Sequence, residues 1–263
     1  MIKQCKTNGI TISYEETGSG DPLILLMGLG APASKWAPHI QAYEKHFHVY
    51  ALDNRGAGRS SIEEMAQDTL GLMEALHIES AHFNGISMGG AIVQYLAVHY
   101  PEKVRSAILT NTFSHCCTSF RRAIEILREA SGVLDPVTSG RLCQWMIFSQ
   151  TFQEENEGYM LESELADLNA PDPMPSYAYK AQCNAILNFN ITADLPKITA
   201  PVLIAGGDKD LFVPVSVTQA MHEAISGSQL YIAENGGHVQ HWEQLEKYNQ
   251  ITLDFLLKHS MQK

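Results

Sequence analysis

Gly85-Ile86-Ser87-Met88-Gly89 sets a serine between two glycines at the point where one pattern of side chains gives way to another. Before it, Ser80-Ala81-His82-Phe83-Asn84 reads as an apolar strand; after it, Gly90-Ala91-Ile92-Val93-Gln94-Tyr95-Leu96-Ala97 repeats apolar residues at helical spacing. The pattern predicts a sharp strand-to-helix turn with Ser87 at its tip. The flanking glycines tolerate the crowded backbone of such a turn and leave the hydroxyl exposed above the end of a sheet. Glycine and serine are common enough to produce the pentapeptide by chance in roughly one chain in ten of this size. Its setting between strand and helix therefore carries the weight.

Outward from this turn, apolar strand-like runs recur: Leu23-Ile24-Leu25-Leu26-Met27, Val49-Tyr50-Ala51-Leu52, Ala107-Ile108-Leu109, Val202-Leu203-Ile204-Ala205 and Leu230-Tyr231-Ile232. Helical segments separate them, and that alternation predicts an α/β fold, a mostly parallel sheet with helices on both faces. The chain opens with a hairpin turned at Asn8-Gly9, a pair suited to a type I′ turn. Ser61-Ile62-Glu63-Glu64 fits a capping box leading into a helix from Met65 to Leu76, and Pro214 stands at the start of another from Val215 to Ile225. A last helix is expected after His238, running to about His259.

One stretch breaks the rhythm. Residues 114–195 are rich in helix formers, hold no convincing strand and contain a break at Pro171-Asp172-Pro173-Met174-Pro175. The expected organisation is an α/β core in two parts, 1–113 and 196–263, with 114–195 as a helical cap between two of its strands. Such a cap is the natural lid over a site at the strand ends. Its residues Trp145, Met146, Phe148, Phe152, Tyr159 and Met160 either line a substrate pocket or hold the cap to its core.

With 263 residues, 45% of them hydrophobic, the chain is long enough for a substantial buried core. Its net charge of −11 disfavours nucleic-acid and anionic-membrane partners, and no cluster of Lys and Arg offsets it locally. Met1-Ile2-Lys3-Gln4-Cys5 has no secretory character and no apolar run is long enough to span a bilayer, so a soluble, cytoplasmic protein is expected. Cys5, Cys116, Cys117, Cys143 and Cys183 form no C-x-x-C pair, so reduced thiols and no zinc site are the expectation.

A serine hydroxyl is a poor nucleophile at neutral pH and needs a base to take its proton as the new bond forms. Of 11 histidines, His238 has the right context: Gly236-Gly237-His238 follows the Leu230 run and precedes the last helix. His241, one helical turn on, is the competitor, and a lone H-x-x-H is too little for a metal pair. The base needs an acid to fix its tautomer. Ala205-Gly206-Gly207-Asp208-Lys209-Asp210 follows another strand, with Asp210 as the choice and Asp208 as the alternative. The order Ser87, Asp210, His238 is the one expected when all three stand on loops at one edge of an α/β sheet. The N–H groups of Met88, directly after the serine, and of Leu29 are the candidate oxyanion donors.

Met27-Gly28-Leu29-Gly30, Leu52-Asp53-Asn54-Arg55-Gly56-Ala57-Gly58-Arg59-Ser60, Gly85-Ile86-Ser87-Met88-Gly89-Gly90, Asp210-Leu211-Phe212-Val213-Pro214 and Gly237-His238 resemble, in order, the landmarks of the α/β-hydrolase fold superfamily. Around Ser87, and at Tyr100-Pro101-Glu102-Lys103-Val104-Arg105, the chain is most similar to the branch of 3-oxoadipate enol-lactonases and small carboxylesterases. Two departures stand out. Met27 occupies the place where relatives carry a histidine, and Ser60-Ser61 runs into the next helix sooner than in relatives, through a trimmed loop or missing residues.

The resemblance implies a cofactor-free serine hydrolase that cleaves a small-molecule ester or lactone through an acyl-enzyme, with Ser87, His238 and Asp210 as triad and Leu29 and Met88 as oxyanion donors. The same fold also hosts C–C bond hydrolases, cofactor-independent lyases and oxygenases, and a binding regulator could keep the pocket without turnover. A rival from another class is an NAD-dependent oxidoreductase. Gly28-x-Gly30-x-x-Ala33 after a strand, with Asp53 ending the next, outlines a dinucleotide fingerprint. Pro32 inside that turn and the preceding hairpin argue against it. Asp53, Asn54 and Arg55 are expected instead to tie loops together.

Overall fold

A computed structural model of the protein describes residues 2–56, 60–168 and 174–260. Ala57-Gly58-Arg59 and the Pro171-Asp172-Pro173 part of the break lie outside them, whereas Ser60-Ser61, where a shortened segment is expected, runs directly into a helix that starts at Ile62. Strands β1 (Ile2–Thr7) and β2 (Ile10–Gly18) form the expected hairpin. Its turn has φ of +44° at Asn8 and +76° at Gly9, left-handed values that a tight two-residue turn needs and that Asn and Gly accept.

Six further strands follow: β3 (Asp21–Leu26), β4 (Phe47–Leu52), β5 (Ala81–Ile86), β6 (Val104–Thr110), β7 (Val202–Gly207) and β8 (Gln229–Ala233). Among the described residues the sheet has eight strands in the order β1-β2-β4-β3-β5-β6-β7-β8. The β1–β2 and β2–β4 pairs are antiparallel and all later pairs, from β4 to β8, are parallel. From β3 the chain moves first to one side, to β4, and then to the other, to β5. Loops leaving the carboxyl ends of β3 and β5 diverge there and open a crevice, the usual place for a ligand in an open α/β sheet.

Both faces of the sheet are covered because its central strands are apolar on both sides. Along β3, Leu23 and Leu25 point to one layer with Trp36, Tyr43, Phe255 and Leu256, while Ile24 and Leu26 point to the other with Met65, Leu72 and Ile92. The first layer contains α1 (Ala37–Tyr43) and α11 (Leu245–His259); the second contains α2 (Ile62–Ala75), α3 (Met88–His99) and α9 (Val215–Ala224). All four strand side chains are fully buried, and each contributes about 1.5–3 kcal/mol through removal from water.

Local signals match local structure. Ser61 caps α2, its Oγ accepting the Glu64 N–H at 3.1 Å, and Pro214 immediately precedes α9. The last helix differs from expectation. It is two pieces, α10 (Gln240–Glu243) and α11, separated at Gln244, whose φ of −126° and ψ of +48° are not helical. Between β6 and β7, among the described residues, lie five α-helices: α4 (Thr118–Ala130), α5 (Pro136–Ile147), α6 (Gln150–Glu155), α7 (Glu157–Leu168) and α8 (Ser176–Asn188). Among the aromatic and methionine positions there, Met146, Phe148 and Met160 are buried whereas Trp145 and Tyr159 are exposed.

Arg55 on the loop after β4 forms a buried ion pair with Asp68 of α2, Nε to Oδ2 at 2.5 Å and the second guanidinium nitrogen, Nη2, to Oδ1 at 2.6 Å. Asn8 Nδ2 also donates to Asp68 Oδ1, at 3.1 Å, so one carboxylate joins the hairpin, α2 and this loop. Asp68→Ala removes the carboxylate that accepts both of these guanidinium bonds and is expected to cost about 3–5 kcal/mol in urea unfolding. Arg55→Met with Asp68→Leu should recover most of that loss, because the penalty lies in breaking a buried ion pair on one side only.

Candidate active site

At the end of β5 the backbone of Ser87 has φ +53° and ψ −116°, a conformation that costs of order 1–3 kcal/mol in a non-glycine residue. Close packing imposes it. A Cβ on Gly85 would lie 2.5 Å from Gly89 O, and one on Gly89 would lie 2.0 Å from Leu26 O, so α3 sits directly on β5 and β3. Ser87 N–H donates to Thr110 O at 2.8 Å and Ser87 O accepts from Thr112 Oγ1 at 2.6 Å, which ties the turn to the end of β6. Ser87 is 4% exposed, and its hydroxyl makes no hydrogen bond among the described residues.

Asp210, on the turn after β7, has four hydrogen-bond donors. Oδ1 accepts the N–H groups of Phe212 and Val213, both at 2.8 Å. Oδ2 accepts Asn111 Nδ2 at 2.9 Å and lies 2.8 Å from His238 Nδ1. A carboxylate so surrounded holds one orientation. With Nδ1–H turned to Asp210, the basic lone pair of His238 is on Nε2, and the Phe212 ring packs on the imidazole at 5.0 Å between centroids. Asp208, the alternative, instead pairs with Lys209 Nζ at 3.2 Å.

The structure thus brings His238 and Asp210 into direct contact and sets Ser87 on the same edge of the sheet, two strands from β7. His238 Nε2 and Ser87 Oγ share no hydrogen bond in this state. Asn111 joins the Asp210 turn to the His238 loop: it follows β6, has φ +45°, and donates both to Asp210 and, at 3.2 Å, to Gly237 O beside His238. Sequence reading passed over Asn111, although its place at the carboxyl end of a central strand is a usable signal.

The loop after β3 faces the serine from the other side, where a Cβ on Gly28 would lie 3.2 Å from Ser87 Cβ. Among the described residues the N–H groups of Leu29 and Met88 have no hydrogen-bond partner, and Met88 N–H stands at the positive end of α3. Gly30 N–H donates to Gln182 Oε1 of α8 at 2.9 Å, and Gln182 Nε2 donates to Arg55 O at 3.0 Å. Asn54 Nδ2 donates to Met27 O at 2.7 Å, and Asp53 Oδ1 accepts Ala33 N–H at 2.7 Å. Asp53 and Gly30 are therefore engaged in tying loops, where a dinucleotide site would have one aimed at a ribose and the other at a pyrophosphate.

A family model described as the alpha/beta hydrolase fold matches residues 21–132. RutD of Agrobacterium fabrum, named as a candidate carbamate hydrolase, is 30% identical over 261 residues, covering 93% of this chain and 96% of the relative. The chain belongs to the α/β-hydrolase fold family. It is also 28% identical to 3-oxoadipate enol-lactonase 2 of Acinetobacter baylyi over 253 residues, 91% of each. The crystal structure of the enol-lactonase from Burkholderia xenovorans LB400 superposes with a TM-score of 0.85 at 24% identity, over 97% of this chain and all of that one, and so shares its fold. Among the described residues no helix is long and apolar enough to cross a membrane.

Behind the His238 loop, His241 and His39 are enclosed, with ring centroids 5.6 Å apart. Burial pushes His241 well below the ordinary histidine value, with His39 and His238 adding to the effect. Burial likewise lowers His39 to about 4, against a weaker opposing hydrogen bond to Asn249. Both are neutral in the folded protein, while in the unfolded chain they take up protons as pH falls through about 6.5. Their contribution is intact above that pH and is lost on acidification, for His39 down to about 4. His39 alone should cost about 2 kcal/mol of unfolding free energy between pH 7 and pH 5. Urea melts at the two pH values check this, and His39→Asn should shrink the difference.

Proposed function

We propose that this protein is a serine hydrolase that cleaves a small-molecule carboxylic ester or lactone through an acyl-enzyme. The observation that carries the reading is the 2.8 Å contact between His238 Nδ1 and a carboxylate held by three other donors, at the sheet edge where Ser87 caps its strained turn. Ser87 Oγ attacks the carbonyl carbon while His238 Nε2 takes its proton. Asp210 keeps the imidazole in the required tautomer and stabilises the imidazolium. The carbonyl oxygen, now an oxyanion, is received by the Leu29 and Met88 N–H groups. The histidine then returns the proton to the leaving oxygen, and a water activated in the same way releases the acid. For a lactone the same C–O bond breaks in the first step, but the leaving oxygen remains tethered through the acyl chain, and the hydroxy acid departs whole in the second.

Similarity over nine-tenths of the chain to a relative named as an enol-lactonase supports ester or lactone substrates. In this reading residues 114–195 form a cap over the site, joined to the oxyanion loop by Gln182. The chemistry needs no metal or organic cofactor, and the working compartment is the cytoplasm.

A fluorophosphonate probe should label the wild-type protein on Ser87, and p-nitrophenyl esters should be turned over with an acylation burst. Ser87→Ala is expected to lose labelling and to lower kcat by about 10⁴-fold or more. Labelling without turnover of any ester or lactone would point to the binding reading, and a Ser87→Ala variant with wild-type turnover would remove Ser87 as nucleophile.

A further inference from the structure

Glu243, the last residue of α10, is a half-buried carboxylate with no Lys, Arg or His partner among the described residues. Its oxygens are instead divided between two backbone N–H groups from distant parts of the chain. Oε1 accepts the N–H of Ser149, at the junction of α5 and α6, at 2.6 Å. Oε2 accepts the N–H of Gly237, next to His238, at 2.8 Å. Around this link the two segments are in direct contact. Val239 N–H donates to Ile147 O at 3.2 Å, and Phe148, Met160 and Val239 bury one another. Gly237 leaves no room for a side chain: a Cβ there would lie 2.5 Å from Ser149 N and 2.7 Å from Ile147 O.

The peptides just before His238 are thus held from two sides, by Glu243 at the Gly237 N–H and by Asn111 at the Gly237 carbonyl. We propose that Glu243 is a positioning residue that fixes the His238 loop to the α5–α6 junction, so that the base and this part of the helical segment keep one arrangement during turnover. The proposal rests on the serine-hydrolase reading for its effect on rate, but not for the link itself. A charge is suited to the task because an ionised carboxylate accepts two N–H donors with charge-assisted strength, whereas a neutral amide accepts only through its single oxygen. Burial raises the Glu243 carboxyl above its ordinary value, the two backbone bonds lower it, and Asp210 on the β7 side raises it further. His241, Glu246, Lys247 and His238 are the titratable groups nearest it in sequence, and the α5–α6 junction presents neutral Phe148 and Ser149.

The link can be read in the wild-type protein without any substrate. On acid titration followed by amide NMR, the Ser149 and Gly237 N–H resonances should move with one shared midpoint, above that of an ordinary glutamate, while amides within β6 stay still. Glu243→Gln should accelerate hydrogen exchange at Ser149 or Gly237 by about tenfold or more. It should also lower kcat on a p-nitrophenyl ester by roughly ten- to a hundredfold with KM nearly unchanged, the pattern of a misplaced base. Separate midpoints, no titration step, or a Glu243→Gln enzyme with wild-type kcat overturns the proposal. If Glu243→Gln does not fold, the wild-type titration decides it alone. If the wild type turns over no ester or lactone, the hydrolase reading fails while the shared midpoint still tests the link.

Discussion

The rest of the molecule depends on how closely α3 approaches the sheet. Gly85 and Gly89 let the helix backbone come within contact distance of β5 and β3, and a side chain at either place would collide with main chain. Once the helix is that close, the connecting residue has no helical or extended conformation available to it. Ser87 is driven to φ +53°, and the backbone bonds to Thr110 and Thr112 hold it there. Strain of this kind persists only where neighbouring packing over-determines it, which here is the fully buried centre of the sheet.

Around this turn the sheet supplies an ordering that no single loop could. β3, β5, β6, β7 and β8 lie side by side and parallel, so the segments at their carboxyl ends all emerge on one edge. They place Gly28 beside Ser87 and, at the same edge, join Asn111, Asp210 and His238. Asp210 is satisfied four times over, and Asn111 spans from its carboxylate to the peptide before His238. A buried polar network is stable when every member is paired, and pairing also gives each member one orientation. Orientation is what proton transfer requires of the imidazole.

The helices between β6 and β7 do more than pack on the core. Gln182 reaches from α8 to the loop after β3, and Val239 N–H of the loop after β8 donates to Ile147 O at the end of α5. Each contact joins the helical segment to backbone within one residue of a candidate functional group. Displacing these helices would therefore disturb Leu29 on one side and His238 on the other. The exposed Trp145 and Tyr159 show that their apolar residues are divided between this inner surface and the outside.

Much of this was legible in the amino-acid order, because the information is local. Alternation of apolar runs with helical periodicity gave the layers, Asn8-Gly9 the hairpin, Ser61 the cap of α2, and the glycine-flanked Ser87 the sharp turn. Chain order and strand-end position singled out Asp210 and His238. What tertiary structure alone decided is every link between segments far apart along the chain. That His238 meets Asp210 rather than Asp208 depends on how the turn after β7 folds back on itself. The break at Gln244 arises where the chain swings from the site into α11, and no helix-breaking residue marks it. Gln182 and Glu243 carry no spacing signal, since a side-chain amide or carboxylate acquires its role only when folding delivers a particular backbone N–H or C=O to within about 3 Å.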